Sequence, residues 1–366
     1  METPYSLEER AFREIKRLCY AGLDARALRL EVAEVLRRVV PFDRHCLFTS
    51  DPWSGLPTDV VVERVGEEEM RFFLENVMFE DGVNTYDWMV RSRRPVALLS
   101  EGTGGRLERA LRYREILAPN GFGYELRSVF AVGRLPWGGA ELARERGRSD
   151  FDAREVAFVR RVAPHLGAGL KAAVLREQAL PEAEGGNVSG VLTLDRRMRV
   201  IQHTKAAEDL LREIGDLGPG WLEGEGLPAV VCAVVGALRS ALDPGAGADG
   251  ESAPRVCVRA RSGRWMTLQA DLTEPTGARP SEVVVVIEPA GPKEVGWLHM
   301  AAYGLSPRER EIVELIVRGA QNREIAAALY ISEYTVQDHL KSIFEKVGVR
   351  GRGALVKKLF LGTIFS

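Results

Sequence analysis

Three side chains near the end of the chain could hydrogen-bond the edges of base pairs: Gln337, Asp338 and Lys341. A glutamine can pair with adenine N6 and N7, a lysine can donate to guanine O6 and N7, and an aspartate can accept from cytosine N4. Helical periodicity over 332–347 puts Tyr334, Asp338, Lys341 and Glu345 on one side, with Gln337 at its edge. Val336, Leu340, Ile343 and Val347 fall on the other, and Ser332 suits the N-cap. A short helix with an apolar back and a hydrogen-bonding front suits the major groove. Many surface helices share that pattern, so the elements ahead of it decide.

Those elements are well signposted. Leu305-Ser306-Pro307-Arg308-Glu309 has a serine at the N-cap, proline at the first helical position and glutamate at the third, which predicts a capping box. Gly319 ends that helix, and Gln321-Asn322-Arg323-Glu324-Ile325-Ala326 starts a second, short and alanine-rich one reaching Leu329. The small residues Ala326 to Ala328 let it cross its neighbour closely. A short helix, a tight connection and a capped helix with a polar front is helix-turn-helix geometry. A fourth helix is expected over Gly353 to Leu361.

The stretch resembles the LuxR/NarL-type helix-turn-helix family. The resemblance rests on Leu305, Ser306, Arg308, Glu309, Gly319, Asn322, Glu324, Ile325, Ala326, Leu329, Ile331, Ser332, Thr335, Val336, His339, Leu340, Lys346, Gly348, Val349, Arg352 and Leu355 among others. It implies an all-α four-helix DNA-binding domain over 303–366, a helix-turn-helix motif from Arg323 to Ser342, and transcriptional control. It also implies a homodimer, often formed through the fourth helix. It assigns base reading to Gln337, Asp338 and Lys341. Asn322, Arg323, Ser332, Thr335, Arg350 and Arg352 become phosphate or positioning contacts. The chain departs from the family where position 337, frequently basic, is Gln beside acidic Asp338. Gln321 and Gly351 also replace small polar caps, which predicts weaker helix starts.

At 366 residues the chain is long enough for two or three domains, and 45% hydrophobic with 28% charged suits a globular protein. The net charge of −2 divides unevenly: Tyr303 to Ser366 carries ten Lys+Arg against seven Asp+Glu, so +3, which leaves −5 on the first 302 residues. Cys19, Cys46, Cys232 and Cys257 stand apart among apolar residues and read as buried thiols of a reducing compartment. No basic-then-apolar leader or membrane-length apolar run is present, so a cytoplasmic location is expected. Nothing matches a nucleophile elbow, P-loop, metal cluster or dinucleotide fingerprint, so neither an enzyme nor a metal or cofactor site is expected.

The remaining chain reads as two α+β modules. Helices are expected over 6–39 with a break at Gly22, then a strand from Arg44 to Thr49 and a turn at Asp51 to Gly55. A helix over 67–79, a strand from Pro95 to Leu99 and a helix over 106–117 follow. Strands at Ser128–Val132 and Trp137–Leu142, and a long helix from Asp152 to Arg176, complete the first module. Residues 181–187 form a linker by composition. Beyond it come a hairpin over 191–203, a helix capped by Thr204, a helix over 228–242 and a mobile loop over 243–254. Three strands, 255–261, 264–271 and 282–288, end the second module.

The element order of the first module resembles a GAF domain, placed over 1–180 with its N-terminal helices. The second, with its Leu194-Asp195-Arg196-Arg197-Met198-Arg199-Val200-Ile201 opening, resembles a PAS domain over 188–290. Residues 291–302 are expected to be a connecting helix. Such domains imply either an unidentified small-molecule effector or pure dimerisation and protein contact, RNA polymerase included. Trp53, Phe72, Phe79, Tyr86, Trp88, Tyr113, Phe122, Tyr124 and Trp137 could line a pocket or form core and dimer contacts, with core favoured. A haem role for His165 and a flavin role for Cys232 or Cys257 have no supporting motif.

Overall fold

The computed structural model describes residues 6–80, 82–177, 188–215, 217, 221–224, 226–242, 253–275 and 281–361. The linker expected at 181–187 and most of the loop over 243–254 lie outside them. The chain divides into two compact units, Met1–Pro289 and Ala290–Ser366.

The N-terminal unit opens with α1 (Leu7–Tyr20) and α2 (Ala25–Arg37), capped by Ser6 and Asp24, whose side chains accept from Glu9 N and Ala27 N. Next come β1 (Arg44–Ser50), β2 (Pro57–Glu63), α3 (Glu67–Phe72), a π-helical turn (Phe73–Val77) and α4 (Met78–Glu80). Then follow α5 (Tyr86–Arg91), β3 (Val96–Leu98), α6 (Leu99–Thr103), β4 (Phe122–Val132), β5 (Leu135–Glu145) and α7 (Ala153–Glu177). The five strands form one antiparallel sheet in the order β2-β1-β5-β4-β3. Helices α1, α2 and α7 pack on one another and on this sheet. They pass closely enough that a Cβ on Gly169 of α7 would stand 2.9 Å from Cys19 Cβ, which explains the glycine.

Several elements differ from expectation. The helix expected over 106–117 is a 3-10 turn, Leu107–Arg109, and a π turn, Tyr113–Leu117. Leu99, expected to end a strand, instead starts α6. Strand β2 followed a turn-rich stretch and was not anticipated; its leading proline suits the first residue of an edge strand. Strand β4 starts six residues before Ser128, and the charged Glu125 and Arg127 are buried in that added stretch. Pro136, which separates the strands expected at Ser128–Val132 and Trp137–Leu142, sits within β5 opposite an irregularity at Phe130/Ala131, beyond the last β1 pair at Thr49↔Gly138.

A charged cluster fills one region of this sheet. Arg112 Nε donates to Glu125 Oε2 at 2.6 Å. Arg127 Nε lies 3.5 Å from Glu125 Oε1 and its Nη2 3.6 Å from Glu141 Oε1. The Arg127 guanidinium also stands over the rings of Phe73 and Tyr86, at 5.5 Å and 5.2 Å. Of the aromatic set, Tyr113, Phe122 and Trp137 are core, Tyr86 meets Phe48 edge-on at 4.8 Å, and Phe72 and Trp88 are exposed. His165 contacts α1, with Nδ1 3.3 Å from the Tyr20 hydroxyl and its ring edge-on to Phe12.

The second sheet follows: β6 (Gly190–Leu194), β7 (Val200–His203), α8 (Lys205–Ile214), α9 (Ala229–Leu242), β8 (Arg255–Arg259), β9 (Trp265–Leu272) and β10 (Val283–Pro289). It is antiparallel in the order β7-β6-β10-β9-β8. Thr204 caps α8, accepting from Ala207 N at 3.2 Å. Helix α9 is apolar nearly all round, as a helix buried on two sides must be. Leu56 and Leu74 of the first part join Leu192, Val234, Leu268 and Val285 in one buried cluster, so the two sheets share a core. Asp51 Oδ2 reinforces the contact by accepting from Cys257 N on the edge strand β8 at 3.0 Å. All four cysteines are buried and none forms a disulfide, and burial pushes the thiols of Cys19, Cys46 and Cys232 up to about 12.

The C-terminal unit is helical: α10 (Pro292–Ala302), α11 (Pro307–Val317), α12 (Asn322–Leu329), α13 (Glu333–Val347) and α14 (Arg352–Val356), which runs into a π turn (Lys357–Leu361). The helix expected as a connector, α10, packs within this unit. His299 Nδ1 lies 2.7 Å from the Leu359 carbonyl oxygen, and a Cβ on Gly296 would stand 2.2 Å from the Phe360 ring. Among the described residues no helix is long and apolar enough to cross a membrane, and no group of three His, Cys, Asp or Glu could hold a metal ion.

Candidate nucleic-acid interface

The interface is built from α11 upward. Ser306 caps α11, accepting from Glu309 N at 3.2 Å, and Glu309 Oε2 accepts from Ser306 N at 2.7 Å. This is the capping box legible in the sequence. The Glu309 carboxylate also reaches α13, accepting from Ser342 Oγ at 2.7 Å and from Lys346 Nζ at 2.9 and 2.7 Å. Burial pushes its carboxyl up, but Lys346, Ser306 and Ser342 outweigh that and hold it below the ordinary value. One buried side chain, 3% exposed, therefore starts one helix and anchors another.

Helix α12 is tied down at both ends. Gln321 N donates to Glu324 Oε2 at 2.7 Å, so the side chain three residues on compensates for the missing small polar cap. At the other end Arg308 Nη2 donates to the Leu329 carbonyl, and Nη1 to Glu311 Oε2 at 2.6 Å. Tyr330 then turns the chain in the left-handed region, φ 52°, and Ile331 N closes back on Ala326 O at 3.0 Å. Tyr330 is 96% exposed, so no packing among the described residues offsets this conformation. Replacing it with asparagine, which adopts that region readily, is expected to stabilise the unit by up to about 1 kcal/mol. A thermal melt checks this: a rise in Tm agrees, a fall contradicts.

Ser332 caps α13 as expected, its Oγ accepting from Thr335 N at 3.0 Å and lying 2.8 Å from Thr335 Oγ1. Val336, Leu340, Ile343 and Val347 are buried, and His339 is half-buried at their border. Gly348, φ 70°, ends the helix. Gln337, Asp338 and Lys341 are all exposed, as are Tyr334, Arg323 and Arg350. Gln337, Lys341 and Arg350 rim one open groove floored by Leu340, Phe344 and Val349; Asp338 lies outside it.

Two basic residues are less available than their types suggest. Arg352 Nη1 donates to the Ala320 carbonyl at 2.6 Å and Nη2 to Asn322 Oδ1, which pins the start of α14 to the start of α12. Lys346 is committed to Glu309. On α13 that leaves Lys341 as the cation without a described ion pair, beside the carboxylates of Glu333, Asp338 and Glu345. The reach of Glu309 and Arg352 was not legible in the sequence, because both span about thirty positions; only the unusual burial of a glutamate reveals the first.

Residues 303–359 match the model of the family described as bacterial regulatory proteins, luxR family. Over 61 residues the chain is 44% identical to the spore germination protein GerE of Bacillus subtilis (strain 168), a match that takes in 16% of this chain and 82% of GerE. The chain belongs to the luxR family. It is a family of DNA-binding transcriptional regulators rather than enzymes. A second relative, the CsgBAC operon transcriptional regulatory protein of Escherichia coli (strain K12), is 48% identical over 48 residues, 13% of this chain and 22% of that protein. The chain thus spans most of GerE and about a fifth of the second relative. A crystal structure of Escherichia coli SdiA aligns over 94% of this chain and 93% of that one at 12% identity and a TM-score of 0.32, a score at which the two do not superpose as wholes.

Proposed function

We propose that α13 reads the major groove of promoter or operator DNA with Gln337, Asp338 and Lys341, in a homodimer controlled by the N-terminal unit. The observation that carries this is the exposed polar face of α13, set on a helix whose back is buried and whose axis is clamped by Glu309. Arg323, Arg350, Thr335 and the N-terminal turn capped by Ser332 serve as backbone contacts. Asn322 and Arg352 act as a positioning pair, since each already holds the other. With Lys346 engaged, affinity leans on these contacts and on dimerisation more than on the charge of α13 itself.

Lys341→Ala is expected to cost about 1–3 kcal/mol at the cognate duplex and to leave non-specific binding nearly unchanged. Arg323→Ala is expected to weaken binding across sequences and to reduce the salt slope by about one. Titration of labelled duplexes at several salt concentrations separates the two. Specific binding untouched by Lys341→Ala overturns the docking.

The two sheets of the N-terminal unit fit the roles of a GAF-like domain (1–180) and a PAS-like domain (188–290) that gate this reader, with a contact to RNA polymerase as a further element. Terminal helices gathered on one face of the first sheet support the former, and the strand–strand–helices–three strands order supports the latter. One observation favours interaction without a ligand for the first sheet. The Arg112, Glu125, Arg127 and Glu141 cluster and the buried Trp137 occupy its interior. An effector therefore requires a different place.

A further inference from the structure

The two sheets of the N-terminal unit meet unevenly along α9. At Gly236 the contact is so tight that a Cβ would stand 2.3 Å from the Leu74 carbonyl oxygen. One and two turns earlier, at Cys232 and Ala229, the walls part into a cleft of about 460 Å³. That volume lies within the range that holds small-molecule ligands. Its apolar lining comes from both sides: Val60 of β2, Met70 and Leu74 from α3 and the turn after it, and Leu227 and Cys232 at and within α9. The opposite lip carries Gly224 and Gly226, at φ 88° and 77°.

Arg71 supplies the cleft's charge. A Cβ on Gly224 would stand 3.5 Å from Arg71 Nη1, so the guanidinium reaches across to Gly224. Among the described residues Arg71 makes no hydrogen bond. Its carboxylate partner, Glu75, is 3.9 Å away and sits closer to Arg239, at 3.3 Å. Two guanidiniums thus face one carboxylate, which leaves an excess positive charge. The other charged residues of the lining are engaged or exposed: Asp59 is ion-paired with Arg29, and Glu67 and Glu68 are exposed to solvent.

We propose that this cleft binds a small molecule with an apolar body and a single anionic group, the body against Met70, Leu74 and Leu227 and the anion against Arg71. The proposal rests on reading the N-terminal unit as sensory, and it places the sensed molecule between the first sheet and α9 rather than inside that sheet. An occupant touches β2 and α3 on one side and α9 on the other, so binding stabilises their contact.

Two fluorescent probes test this on the full-length protein: 1-anilinonaphthalene-8-sulfonate, and N-phenyl-1-naphthylamine, which has the same rings without the sulfonate. Both are expected to saturate one site, the sulfonate binding about tenfold more tightly. Arg71→Gln should erase that preference and leave the neutral probe's affinity unchanged. Ala229→Trp, folded by circular dichroism, should fill the cleft and abolish both signals. Failure of both probes to bind, a preference that survives Arg71→Gln, or undiminished binding to folded Ala229→Trp overturns the proposal. Specific DNA binding is measured on the same samples. A protein that reads DNA but takes neither probe loses the cleft and keeps the reader; one that takes the probes but reads no DNA does the reverse.

Discussion

Glu125→Ala is expected to destabilise the N-terminal unit by about 3–5 kcal/mol, the loss typical of removing one partner from a buried ion pair. That is a large part of the roughly 5–15 kcal/mol that holds a domain folded. Burial pushes the Glu125 carboxyl up, but Arg112 and Arg127 outweigh it and hold the group well below the ordinary carboxylate range. Without it two fully buried guanidiniums share Glu141, whose own carboxyl is pushed up by burial and by Glu125. A comparison sets the scale: the Arg64–Glu145 pair, half-exposed on both sides, is expected to contribute no more than about 1 kcal/mol. Urea unfolding of the two alanine variants reads the contrast. Equal and small losses contradict the role given to the cluster.

Glu309→Ala is the counterpart in the C-terminal unit, with an expected loss of about 2–4 kcal/mol from its charge-assisted hydrogen bonds and the capping box. The lower figure reflects Lys346, which is partly exposed and can turn to water. The pH dependence has a definite sign. A carboxyl whose folded value is depressed contributes its full stability above its unfolded pKa and loses it as pH falls through the folded one. The difference in Tm between the parent and Glu309→Gln in the 290–366 fragment should therefore narrow on acidification. A gap that stays constant from neutral pH to below the carboxylate range contradicts the clamp. The fragment corresponds to one of the chain's two compact units, Ala290–Ser366.

The parts of this structure that were legible in the sequence are those written in short-range signals. Ser306 with Glu309, Ser332 before Thr335, Thr204 before Ala207 and the stripe Val336, Leu340, Ile343 and Val347 all act within one or two helical turns. The hairpin over 191–203 is equally local. What was hidden depends on distant partners. Glu125 and Arg127 look like surface residues until Arg112 and Glu141 are brought to them, so most of β4 was unread. Residues 106–117 keep a helical apolar spacing but form tighter and wider turns over the buried cluster. Helix α10 reads as a connector until Phe360 closes on Gly296. In the candidate site, the exposure of Gln337, Asp338 and Lys341 follows from periodicity, whereas the engagement of Arg352 and Lys346 does not.

Gln337, Asp338 and Lys341, three exposed side chains on α13, are expected to read base edges. Selection of bound duplexes from a random pool, by the 290–366 fragment and by its Gln337→Ala and Lys341→Ala variants, tests it most directly. The expected result is one enriched motif for the parent, which loses information at a different base pair in each variant and binds with an affinity that falls linearly in log–log terms with salt. The same motif recovered undiminished from all three proteins, or no enriched motif from the parent, contradicts it.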